Sequence, residues 1–132
     1  MTRHDELINH VRSLGRYGDT QEAERVLTAV LTVLAGQLAD DERRDLAAAL
    51  PPEARALTTG QLPLTEPLTA PGFVDAVAAR LATTVPTARW DVGAALTALA
   101  DLTGPGLTQR LLAALPNGYA LLFGRAQLVT AA

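Results

Sequence analysis

Apolar residues recur three and four positions apart through most of this chain, the spacing of helices with one face turned inward. Leu7, Ile8, Val11 and Leu14 make the first such stripe. Thr2 is placed to cap that helix, with Asp5 three residues on as the acid of a capping box. Gly15 and Gly18, flanking Tyr17, end it. Asp19, followed by Glu22, caps a second helix that runs to about Leu38 along Ala23, Val26, Leu27, Val30 and Leu34. Leu31 and Val33 widen its stripe, so this helix is expected to be buried on more than one side. Asp40, Asp41 and Glu42 open a third helix, where negative charge suits the N-terminal dipole. Leu46, Ala49 and Leu50 face inward, and Pro51 and Pro52 end it. Either proline can start a short fourth helix carrying Leu57.

Residues 58–70 read as a connector. They hold Pro63 and Pro67, and Glu66 is their only charge, but Leu62, Leu64 and Leu68 are too apolar for a free tether. The expectation is an extended segment across the surface, able to span roughly 40–45 Å when stretched. The pattern then starts again. Pro71 is a good first helical position, and Phe73, Val74, Val77 and Leu81 form a stripe. Thr84, Pro86 and Thr87 mark a new start, followed by Val92, Ala95, Leu96, Leu99 and Leu102. Gly104, Pro105 and Gly106 interrupt. Leu107, Leu111, Ala114 and Leu115 make a third helix stopped by Pro116, and Tyr119, Leu122 and Phe123 a short fourth one closed by Gly124. The tail from Arg125 to Ala132 is apolar enough to dock.

The two halves align at an offset of 65 to 66 residues: Leu7 meets Phe73, Val11 meets Val77, Val26 meets Val92, Ala29 meets Ala95 and Val33 meets Leu99. Ala47–Leu57 (AAALPPEARAL) matches Leu112–Leu122 (LAALPNGYALL). A half of about 60 residues buries only about 60% of its unfolded surface and is marginal alone. The reading is therefore all-α, a single domain over residues 1–132. Repeat 1 covers about 2–57 and repeat 2 about 71–124, packed as two four-helix units around one shared core.

On these features the chain resembles the domain-of-unknown-function 2267 family of small bacterial proteins. The resemblance rests on the N-terminal apolar helix, the Ala23–Leu38 helix, and the AALP-type endings at Leu50–Pro51 and Leu115–Pro116. Phe73, opening the second half, and the closing segment Tyr119–Phe123 fit as well. It spans about residues 5–124. It implies a duplicated helical fold and brings no catalytic residues with it. The Gly104–Pro105–Gly106 break departs from the acidic cap at the equivalent point of the first half.

Composition narrows the function classes. Of 132 residues, 48% are hydrophobic and 19% charged, which is unlike a disordered chain. Cysteine is absent, so disulfides, thiolate metal sites and a Cys nucleophile drop out. All 11 basic residues are arginine, and the net charge is −3. That balance argues against general affinity for nucleic acid. No uncharged run reaches the ~18 apolar residues of a membrane span, and the first residues lack a signal-peptide pattern. The expected location is the cytoplasm.

The sequence offers few groupings that could carry chemistry. Ser13, the only serine, sits inside the first helix with no glycine elbow around it. His4 and His10 share that helix but lie about 240° apart around it. Glu6 and His10 form an i,i+4 pair, too few ligands for a metal site. Asp40, Asp41, Glu42 and Asp45 read as a solvated helix start. Gly15–Arg16–Tyr17–Gly18 reads as a turn, and Arg43, Arg44 and Arg55 as partners of neighbouring acids on helix surfaces. No cofactor is expected.

Trp90 carries the most information. It lies about 200° from Val92 around its helix, on a face with Gly93, Ala94, Thr97 and Asp101 and next to Arg89. A large aromatic among small residues marks a second packing surface, either against the other repeat or the tail, or as a partner anchor. The first 66 residues hold 11 acids and 7 arginines, the last 66 only 3 acids and 4 arginines. A surface so poor in charge points to an interaction site. The expectation is a non-enzymatic interaction module binding a protein partner or a second copy through Arg89, Trp90, Ala94 and Thr97. The alternative is a small-molecule binder or enzyme with a pocket between repeats, using Arg80, Arg89 and Tyr119.

Overall fold

The computed structural model describes residues 2–59 and 67–124. Among these there are eight helices and no strand: α1 (Arg3–Gly15), α2 (Thr20–Gln37), α3 (Asp40–Ala49), α4 (Pro52–Thr59), α5 (Ala70–Leu81), α6 (Val85–Thr103), α7 (Pro105–Ala114) and α8 (Tyr119–Leu122). The helix starts follow the local chemistry. Thr2 accepts from the Asp5 N–H while the Asp5 side chain accepts from the Thr2 N–H, a complete capping box. Asp19 accepts from the Glu22 N–H, Thr69 from Gly72 and Thr84 from Thr87. Prolines occupy the first turns of α5, α6 and α7, where no intrahelical N–H is needed.

The two longest helices, α2 and α6, pack on each other and organise the rest. Their neighbours come in corresponding pairs. α1 packs on both α2 and α6, and α5 on both α6 and α2. α4 packs on α2 and α8 on α6, while α3 meets α7. A single buried apolar cluster draws side chains from all eight helices, including Val11, Leu34, Leu46, Phe73, Leu96 and Leu111. Helix lengths run 13, 18, 10 and 8 in the first half and 12, 19, 10 and 4 in the second. α1 and α5 both end in a left-handed residue, Arg16 at φ 57° and Ala82 at φ 52°.

The connector is shorter than its sequence implies. Thr58 and Thr59 belong to α4, and Ala70 already opens α5. Thr58 stays helical and buried because its hydroxyl donates to the Arg55 carbonyl at 2.8 Å. Residues 60–66 and the tail 125–132, for which an extended crossing and a docked end were expected, lie outside the described residues. Where the chain re-enters, Leu68 is held from both sides. Its N–H donates to Gln37 Oε1 at 2.6 Å, and its carbonyl accepts from the Tyr119 hydroxyl at 2.8 Å. Gln37 is buried, and its amide also donates to the Val33 carbonyl. Tyr119 packs edge-on against Phe73 at 5.4 Å, and burial raises its pKa above the ordinary tyrosine value.

Several arginines act as caps and cross-links. Arg43 and Arg44 pair with Asp40 and Asp41 at 3.6 and 3.5 Å, as the spacing implied. Arg55 pairs with no acid among the described residues. It donates to the carbonyls of Ala47 and Leu50, satisfying the C-terminal end of α3 from α4. Arg110 of α7 binds Asp45 of α3 at 2.6 Å.

Candidate functional site

The four candidates Arg89, Trp90, Ala94 and Thr97 line one groove along α6. α1 contributes Leu14 to it, and α8 contributes Leu121 and Leu122. Its volume is about 430 Å³. The small residues Gly93, Ala94 and Thr97 leave the α6 backbone close to the groove's base; a Cβ added at Gly93 would meet nothing within 4 Å. Trp90 is 55% exposed and Leu121 64%, two of the three large apolar side chains left open among the described residues. The third, Val85, precedes Pro86 at the same end of α6. Arg89 is the one charged residue among the described residues of the lining. Asp101, placed by helical spacing on the Trp90 face, turns instead into a separate cleft between α1 and α6. There it binds His10 Nε2 at 2.7 Å.

The Trp90 end of the groove is fastened to the α1–α2 turn. The Trp90 indole N–H donates to the Gly15 carbonyl at 2.9 Å. The next residue, Asp91, is only 6% exposed and accepts from the Tyr17 hydroxyl at 2.6 Å. Arg16, in the left-handed region, turns the chain so that Tyr17 lies back over Gly15. A Cβ at Gly15 would sit 2.2 Å from the Tyr17 ring. Burial, then the bond to Asp91, raises the Tyr17 pKa well above the ordinary value. Burial also raises Asp91, against the lowering effect of the Tyr17 hydrogen bond, with Glu22 and Arg25 adding smaller opposed contributions.

The turn was legible as a turn. That Tyr17 and Gly15 would serve as the dock for Trp90 and Asp91 was not, because 74 and 75 positions separate the partners. The one available signal was an acid, Asp91, one step from an apolar stripe.

The three polar groups offered for a pocket between the halves do not converge. Arg89 lies in the α6 groove, and Arg80 in a separate cleft with Gln21, Glu24 and Arg25. Tyr119 is buried with its hydroxyl engaged by Leu68. His4, near Glu24 at 3.4 Å, and His10, on Asp101, face different helices. Among the described residues no group of three or more His, Asp or Glu side chains is placed to hold a metal ion. No helix among them is long and apolar enough to cross a membrane.

The fold and the groove define a small all-helical protein with one largely apolar groove along α6. Residues 4–122 match the family model described as uncharacterized conserved protein DUF2267, and the chain belongs to that family. No curated protein matches it.

Proposed function

We propose that this protein is a non-enzymatic helical interaction module, built from two related four-helix repeats, whose docking surface is the α6 groove. The observation that carries this reading is the clustering of exposed apolar bulk. Trp90 and Leu121 stand in one groove over a base of small side chains, on the charge-poor half of the chain. Exposed apolar area concentrated this way is uncommon on a surface that meets only water. Tryptophan and arginine side by side are the residues most enriched at interface hot spots. The direct bond from Trp90 to Gly15 fixes one edge of the surface before anything binds, which lowers the ordering cost of docking.

The test is affinity capture from the native host with wild-type, Trp90→Ala and Leu121→Ala baits, alongside light scattering of each. A partner or second copy retained by the wild type and lost from both variants, with helical content preserved, supports the reading. Equal retention by all three removes it.

A further inference from the structure

Resting on the docking reading, we propose that the occupant of the α6 groove is an amphipathic α-helix of a partner protein, with a carboxylate beside its apolar anchors. Charge complementarity sets the sign. Among the described residues Arg89 is the only charged one in the groove and no acid lines it, although the chain as a whole carries a net charge of −3. Two other clefts contain Glu24, or Glu6 and Asp101, so this groove differs from both in having no acid among its described lining residues. An acidic side chain entering here meets a guanidinium able to bind it bidentately.

Shape sets the class. Small-molecule sites bury most of the ligand's surface, whereas this groove is flanked by side chains more than half exposed. A channel over Gly93, Ala94 and Thr97, edged by Trp90 and Leu121, suits a helix lying along it with anchors at i, i+3 or i+4, and i+7. A second copy fits less well. A two-fold contact centred on this groove would bring Arg89 against the same residue of its mate, with no acid among the described residues of either lining to offset the repulsion.

Trp90 is the only tryptophan in the chain, so its emission reports the groove directly. The probes are two synthetic amphipathic helical peptides with leucines at the i, i+3, i+4 and i+7 spacing. They are identical except that one carries a glutamate beside the leucines and the other a lysine. The glutamate peptide should shift Trp90 emission to the blue and saturate, with the lysine peptide at least about tenfold weaker. Arg89→Glu should reverse that order. Gly93→Leu, which fills open space and removes a helix-weakening glycine, should abolish the shift without lowering the unfolding midpoint. Equal binding of both peptides, unchanged by Arg89→Glu, overturns the acidic-helix inference and leaves the groove a docking surface. Emission that ignores both peptides but shifts with protein concentration, in step with a doubling of mass, makes the occupant a second copy and overturns it too. Indifference to every peptide and to concentration overturns this inference, while the docking reading falls only if the capture experiment also retains partners equally on all three baits.

Discussion

The indole N–H of Trp90 donates to the carbonyl of Gly15, 75 positions earlier, so the groove's largest side chain is anchored by the opposite half of the chain. Only its polar atom is tied down; the ring remains more than half exposed. Trp90 therefore serves stability and surface at once, and the two contributions are separable. Trp90→Phe should keep most of the apolar face and cost about 1 kcal/mol, the net worth of one hydrogen bond. Trp90→Ala should cost about 1–2 kcal/mol, less than the ~3–5 kcal/mol of a fully buried tryptophan. Chemical denaturation of both variants checks this. A loss near 4 kcal/mol would make Trp90 a core residue.

Gly15 is the tightest point of the same turn. Alanine there would gain up to ~1 kcal/mol of helix propensity, but its Cβ would overlap the Tyr17 ring. Displacing the ring breaks the Asp91 bond, so the expected result is a net loss of about 1–3 kcal/mol. A stabilised Gly15→Ala variant would show that the ring can move freely.

The Tyr17–Asp91 pair gives a pH dependence of fixed sign. Asp91 binds its proton more tightly when folded than when unfolded. Its contribution is therefore most favourable below the ordinary carboxylate pKa and is lost as pH rises through the raised value. Tyr17 is likewise raised, so stability falls again as pH climbs past the ordinary tyrosine value of about 10. Asp91→Asn should remove the acidic limb and Tyr17→Phe should reduce the alkaline one. Tyr17→Phe should also push the Asp91 pKa further up, because the bond that favours the carboxylate is gone. Carboxyl titration by NMR, with unfolding midpoints across pH, measures each shift. A lowered Asp91 pKa in Tyr17→Phe would reverse the assignment.

The pairing of α1 with α6 and of α5 with α2 makes each half a poor domain by itself. A fragment of residues 2–59 and one of 67–124 should each be largely unfolded alone, since about 60 residues bury too little surface. Mixed, they should regain helix in a one-to-one complex. Independent cooperative folding of either fragment, followed by circular dichroism, would contradict the interlocking of the two halves.

How much of this was readable beforehand follows from the range of each interaction. Thr2 with Asp5, Asp19 with Glu22, and Thr84 ahead of Pro86 act within one turn, so their spacing alone marks the helix starts. The groove was half legible. Helical angles place Trp90, Ala94 and Thr97 on one face, but nothing local says that Leu14 and Leu121 complete it. Asp101 shows the limit of the angular argument, since a partner on α1, His10, decides where it turns. Arg55 shows another: neighbouring acids suggested an ion pair, while the carbonyls at the end of α3 were the nearer need. The bonds of Leu68 with Gln37 and Tyr119 depend on how α2, α5 and α8 assemble, which no window of sequence contains.

The docking claim is tested most directly inside the native host. A photo-crosslinking phenylalanine derivative replaces Leu121 in the groove in one strain and Arg44, exposed on α3 and not among the groove's lining residues, in another. One dominant crosslinked protein is expected at position 121, absent at position 44 and lost when Gly93→Leu is added. The absence of any crosslink specific to position 121, or one that survives Gly93→Leu, would contradict it.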